Sequence, residues 1–445
     1  MKSILIKNAL LINEGEQYHA DVYIKGSFIE RIERQGINMA ADEVIDATGK
    51  ILIPGLIDDQ VHFREPGLTH KGDLYTEPKS AVAGGVTSFM EMPNTSPSAV
   101  TLELLEQKYE RAATQSLANY SFFMGTTNTN LDELLRVDET KICGVKIFMG
   151  SSTGDMLVDD PNALERIFSE VKTIIATHCE KDPIVKANQA EVIAKHGEAI
   201  DVTWHSKIRS EEACYLSSSY AVDLAKKHNT RLHVLHISTA KELSLFDKNK
   251  PLVEKRITAE ACTHHLWFSD ADYASKGNFI KWNPAIKKAS DRDAILQGVI
   301  DGHIDILATD HAPHTLEEKS QPYLKTPSGG PLVQHTLNAL IQLHKKGKIS
   351  LEKIIEKACH NPAILFEIDR RGYIREGFYA DLVLVDLNQK YTVSKSNILY
   401  KCGWSPFEGE QFDSVVTHTL VNGNVVYREG KFDESTRGMR LKFNR

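Results

Sequence analysis

Five side chains in this sequence could hold or serve a metal ion: His62, Lys146, His178, His236 and Asp310. Each stands in or just after a short apolar run. Asp58-Asp59-Gln60-Val61-His62-Phe63-Arg64 follows the run 51–57, and Lys146 lies inside Gly144-Val145-Lys146-Ile147-Phe148. Thr177-His178-Cys179-Glu180, His236-Ile237-Ser238-Thr239 and Thr309-Asp310-His311-Ala312-Pro313-His314 close three further runs, and Pro93-Asn94-Thr95 closes another. One histidine at a strand end carries little information. Three histidines, an aspartate and a lysine at five such ends predict a metal cluster. Lys146 is costly to bury as an ammonium. Either it is salt-bridged or it is a neutral amine, which can react with carbon dioxide. The resulting carbamate is an anionic oxygen ligand able to bridge two metals. His233 reads as a hydrogen-bonded core residue, His264 and His265 as helix or loop structure, and Asp58 as a metal-site residue or a helix cap. Arg64 lies two residues beyond His62, so on an extended strand the two side chains share a side. A guanidinium there can clamp a carboxylate with two parallel bonds; the plainer alternative is a surface salt bridge.

The elements that must position these residues alternate. Apolar strands are expected at 51–57, 87–92, 120–125, 144–149, 174–178, 232–236, 257–261 and 304–308. Helical patterns fall between them, as at 102–113, 163–171, 213–227 and 292–301. Eight such strands predict a (β/α)8 barrel, whose strand ends converge on one face. An open doubly wound sheet is the competitor, weakened by the missing GxGxxG after the first strand. Both chain ends differ from this middle. They carry short apolar runs bounded by turn residues, including Asn422-Gly423 between 417–421 and 425–427, a strong hairpin signal. The expected division is 1–52 with 375–445 as one small β domain, and 53–374 as the barrel. The segment 316–327 reads as a long loop bearing Lys and Glu.

Composition bounds the partners. The 445 residues include 53 basic and 60 acidic side chains, a net charge of −7. That argues against nucleic acid or an anionic membrane. No apolar run approaches the roughly 20 residues of a membrane span. Met1 to Ile6 runs straight into Lys7 and Asn8, unlike a signal peptide. Six cysteines without a CxxC predict reduced thiols in a cytoplasmic protein.

Pro54-Gly55-Leu56-Ile57-Asp58, continuing through His62-Phe63-Arg64-Glu65-Pro66-Gly67, resembles the opening of the dihydroorotases, cyclic amidohydrolases of the amidohydrolase superfamily. Glu91-Met92-Pro93-Asn94-Thr95, Asn283-Pro284, Thr309 to His314 and Ser405-Pro406-Phe407-Glu408-Gly409 extend the resemblance along nearly the whole chain. It implies a TIM barrel with a β-sandwich domain built from both termini. It implies reversible interconversion of N-carbamoyl-L-aspartate and L-dihydroorotate, with zinc, one or two per chain, as cofactor. His62 would bind the first metal, His178 and His236 the second, with a carbamate on Lys146 bridging them. Asp310 would contact the first metal and act as general acid/base. Arg64, Asn94 and His314 would form the substrate-carboxylate pocket, Asn283 would bond the ring, and Gly330 within 328–330 would offer backbone groups. A small-molecule substrate and a homo-oligomer are further implications.

One departure stands out. The family pattern is usually Asp-x-His-x-His, and Gln60 occupies the first histidine's place. An amide oxygen is a weaker zinc donor than imidazole. Three outcomes follow: Gln60 ligates through oxygen, the first metal site is empty, or the chain is a non-catalytic partner protein. Retention of His178, His236, Lys146 and Asp310 favours catalysis. The nearest rival activities are those of hydantoinases, dihydropyrimidinases and allantoinases, whose substrates lack a carboxylate at the same place.

Overall fold

The computed structural model describes residues 1–150 and 156–445. Its centre is a parallel barrel. The strands are Leu56–Val61, Val86–Glu91, Asn119–Phe122 continuing as Met124–Gly125, Val145–Phe148, Ile175–His178, Leu232–Val234, Ile257–Cys262 and Ile306–Ala308. Every neighbouring pair among them is parallel. The eighth closes on the first where the His62 N–H donates to the His311 carbonyl at 2.7 Å. The expected barrel is therefore present, and its strands are buried along their length, as parallel strands covered by helices must be.

The run 51–57 needs a correction. It is two strands, Lys50–Pro54 in a terminal sheet and Leu56–Val61 in the barrel. Gly55 makes the passage, because a Cβ there would lie 2.1 Å from Thr87 Oγ1. Apolar character alone does not mark where a chain leaves one sheet for another.

Helices form where local chemistry agrees with packing. In Glu211–His228 the Ser210 hydroxyl caps the Ala213 N–H, and Glu211 and Glu212 occupy the first turn. Lys226, Lys227 and His228 occupy the last, and Asn229 ends it at φ 54°. Acid at the start and base at the end both complement the helix dipole. Ala213, Ser217, Ala221 and Ala225 recur on its buried face, small enough to bring the helix close to the barrel.

The nine-stranded terminal sheet draws on both chain ends, in the order 431–432, 424–428, 415–421, 382–386, 50–54, 3–13, 16–25 and 28–33, with 43–46 paired to 3–13. Strand alternation gives it two jobs. Leu52, Leu382 and Leu384 point into its own core with Ile4, Ile6 and Val22. Ile51, Ile53, Val383 and Val385 point the other way, into the core shared with the barrel. The predicted hairpin is there: Val421 pairs with Asn424, and Asn422 and Gly423 both have positive φ, as a two-residue primed turn requires. Beyond the last sheet strand the chain returns to the barrel, where Leu441 N–H bonds the Tyr120 carbonyl and Phe443 N–H that of Thr140. Among the described residues no helix is long and apolar enough to cross a membrane, and all six cysteines are free thiols.

Candidate metal centre and substrate pocket

The C-terminal ends of the barrel strands surround a cavity of about 260 Å³. Gln60, His62, Arg64, Asn94, Lys146, His178, His236, Asn283, Asp310 and His314 all line it. Gly330 stands just behind the wall against Trp282, while Ser328 and Gly329 face the cavity. So the residues expected at separate strand ends meet in one place.

Three of them hold a backbone conformation unusual for a side-chain-bearing residue: Arg64 at φ 73°, His236 at 40° and Asp310 at 49°. Such geometry costs on the order of 1 kcal/mol or more each and persists where the surroundings enforce it. It corrects the reading of Arg64. The first strand ends at Val61, and Arg64 reaches the cavity through a left-handed turn, so strand alternation is not what aligns it with His62.

Lys146 is 1% exposed, and its Nζ has no hydrogen-bond partner among the described residues. Burial lowers its pKa to about 7, so a large neutral fraction exists at physiological pH, the form that carbon dioxide captures. His178 Nδ1 and His236 Nε2 lie 2.9 Å apart. His178 donates from Nε2 to Glu180 at 2.9 Å, which leaves the Nδ1 lone pair facing His236. Glu180 is itself held by Arg209, and that charge keeps its carboxyl well below the usual range despite burial. A carboxylate behind a histidine fixes its tautomer for metal binding. Burial holds His236 neutral. Two converging imidazole nitrogens beside the buried lysine amine fit a metal ion on a carbamate–His–His set.

The other half of the centre is built differently. His62 donates from Nδ1 to Asn94 Oδ1 at 2.7 Å and turns Nε2 toward Asp310 Oδ1 at 3.2 Å. Gln60 donates its amide N–H to the same oxygen at 3.1 Å. Burial raises the Asp310 carboxyl to about 7, against the pull of His178, Lys146 and Arg64. That places it where a general acid/base is most effective. Trp282 donates to the Asp310 carbonyl at 3.2 Å and helps fix the turn.

Arg64 is 6% exposed. It donates to the Pro313 carbonyl at 3.0 Å and lies 3.2 Å from His314 Nε2. Among the described residues it has no carboxylate partner within ion-pair distance. Burial lowers its pKa only to about 10, so it remains a cation. Asn283 Oδ1 is buried without a hydrogen-bond partner among the described residues.

Beneath the cavity, Asp59, His233 and Glu260 bring ligand-type atoms within 4.8 Å of one another. Burial opposes charge on His233, but Asp59 and Glu260 together raise it to about 9, and its Nδ1 bonds Thr258 at 2.8 Å. It is the core histidine the sequence suggested, held in an ionic cluster. A register shift between Asp58 and Val61 lets the consecutive Asp59 and Gln60 both make buried contacts across the barrel. Asp58 is no helix cap: it accepts from the Thr309 hydroxyl at 2.6 Å and ties the first strand to the eighth. His264 and His265 lie in the helix Thr263–Trp267 and do not line the cavity, although His264 stacks at 4.5 Å on Trp282, which does.

Sequence reasoning missed Glu180, Arg209, Phe148 and Trp282. Glu180 was two residues from His178 and could have been found. Arg209 arrives from a distant turn with no local signal.

The amidohydrolase family model matches residues 51–426. The chain belongs to the amidohydrolase family. Within it, the dihydroorotase of Methanosarcina acetivorans is 32% identical over 442 residues, covering 96% of this chain and 93% of its own length. That of Halobacterium salinarum is 33% identical over 402 residues, covering 89% and 92%. Among solved amidohydrolase structures, the L-hydantoinase of Arthrobacter aurescens superposes with a TM-score of 0.94 at 26% identity, covering 99% of this chain and all of that one. The shared architecture is a TIM barrel with a β-sandwich domain, and the chain is a hydrolase of cyclic amides.

Proposed function

We propose that this protein interconverts N-carbamoyl-L-aspartate and L-dihydroorotate. The observation that carries the reading is Arg64, a buried cation with no carboxylate within ion-pair distance among the described residues, in the wall of a cavity that also holds the metal-type cluster. A substrate carboxylate would supply the missing partner through two charge-assisted bonds. Hydantoins and dihydropyrimidines bring no such group, which is why the hydantoinase reading is second despite the close superposition. His314 and Asn94 support the carboxylate pocket, Asn283 offers its free oxygen to a ring N–H, and Gly330 shapes the wall through Trp282.

Zinc, held by carboxylated Lys146, His178 and His236 and flanked by His62 and Asp310, would lower the pKa of water to about 7 and polarise the attacked carbonyl. The protein's own part is orientation and proton movement. Arg64 fixes the ring by its carboxylate. Asp310 accepts the proton of the attacking water and delivers it to the ring nitrogen as the carbon–nitrogen bond breaks. In the biosynthetic direction Asp310 takes the proton from the attacking carbamoyl nitrogen and delivers it to the departing oxygen as the ring closes. Catalysis belongs to the barrel, expected at 53–374 and starting after Gly55 in the structure, while the terminal sheet of both chain ends carries no site residue; the enzyme is placed in the cytoplasm as a homo-oligomer.

The test is turnover in both directions by protein supplied with zinc and bicarbonate. Ring closure consumes one proton, since a carboxylate is lost as the amide forms. Acid should therefore favour dihydroorotate and alkali carbamoyl aspartate. Failure to catalyse either direction would overturn the assignment.

A further inference from the structure

Gln60 is 1% exposed at the end of the first barrel strand. Its amide shows the centre an N–H, not a lone pair: Nε2 donates to Asp310 Oδ1 at 3.1 Å, while Oε1 faces the Cys262 thiol at 3.8 Å. Turning the amide over would give up the bond to Asp310 and aim the NH2 at sulfur, a weak acceptor. The thiol has a better partner in Glu260 Oε1, at 3.1 Å. The neighbouring imidazole and carboxylate, His62 Nε2 and Asp310 Oδ1, are then the protein ligands left beside Lys146 for a first metal ion. A donor hydrogen occupies the remaining corner, and its positive end repels a cation. The second position has the opposite character, with two imidazole nitrogens 2.9 Å apart beside a Lys146 amine that has no partner among the described residues.

We propose that this centre holds one metal ion, on Lys146, His178 and His236, and that Gln60 takes over the missing ion's task by orienting Asp310 through a direct hydrogen bond. Gln60 is thus a positioning residue. His62 belongs with it: bonded to Asn94 on one side, it presents Nε2 to the same carboxylate oxygen. The inference rests on the metal-dependent reading above, but it is decided by metal count and so stands or falls independently of the substrate.

The experiment measures metal per chain by mass spectrometry after loading the full-length protein with zinc and bicarbonate. A parallel preparation loaded with manganese is read by electron paramagnetic resonance. The native protein should bind one ion per chain and give an uncoupled manganese spectrum. Gln60→His should bind two and show spin coupling between them. Gln60→Leu, which cannot ligate, should keep its single ion, with kcat reduced about tenfold or more by loss of a charge-assisted bond and KM little changed. Two coupled ions in the native protein would overturn the inference. So would loss of the single ion in Gln60→Leu, since that would make Gln60 a ligand.

Discussion

A buried guanidinium without a directly paired carboxylate is costly to a folded protein, and among the described residues Arg64 is kept in that state at a left-handed turn beside the metal-type cluster. Arg64→Met should weaken dihydroorotate binding about a hundredfold, the loss expected for a charge-assisted pair. Metal content should stay unchanged. Steady-state kinetics and metal analysis on one preparation check both, and loss of metal would show that Arg64 supports the centre and not the substrate. Lys146 makes the complementary case. Lys146→Ala should abolish turnover, and a short carboxylic acid added to the variant should restore part of it by standing in for the carbamate. Full activity without the lysine would end that role. Most of these residues were legible in the sequence because their types are rare at apolar strand ends. Arg64 was right for a wrong reason, since a turn and not strand alternation delivers it. Gln60 was visible only as a departure, and its amide bond to Asp310 needed the fold.

The barrel strands were legible as elements because buried parallel strands are continuous apolar runs. Their borders were less so. The run 51–57 hides a change of sheet at Gly55, which no periodicity marks. Gly55→Ala would drive a Cβ to 2.1 Å from Thr87 Oγ1 and should cost about 1–3 kcal/mol through forced repacking, seen as a lower melting temperature with the site chemistry retained. An unchanged melting temperature would mean the two strands can part at no cost. The segment 316–327 read as a plain loop. Its start is a capped turn, Leu316–Lys319, and Lys319 is buried against the carbonyls of Gly329 at 2.8 Å and Pro327 at 3.1 Å. A lysine bonded to main-chain carbonyls looks like any surface lysine in sequence.

At the scale of the whole molecule, Asp381 joins the two parts. It accepts from the Asn422 N–H at 2.7 Å in the terminal sheet and from Asn119 at 3.2 Å in the barrel, and it pairs with buried Arg371. Asp381→Ala would strand that guanidinium and should cost about 3–5 kcal/mol, with both parts losing structure in one transition. Chelation should silence the enzyme and zinc should return it, leaving the fold intact, because the apolar clusters that hold the terminal sheet and the barrel together contain no metal-ligand side chain. The meeting of the chain ends was inferable only as a shared character of two distant segments; the alternation of Leu382 and Leu384 against Val383 and Val385 explains it after the fact. On the proposed function, a cyclic-amide hydrolase has been fitted to a carboxylate-bearing ring. The most direct test compares kcat/KM for L-dihydroorotate with that for hydantoin and dihydrouracil on one zinc- and bicarbonate-loaded preparation. A preference for dihydroorotate of about a hundredfold or more is expected. Equal or faster opening of the uncharged rings would contradict it.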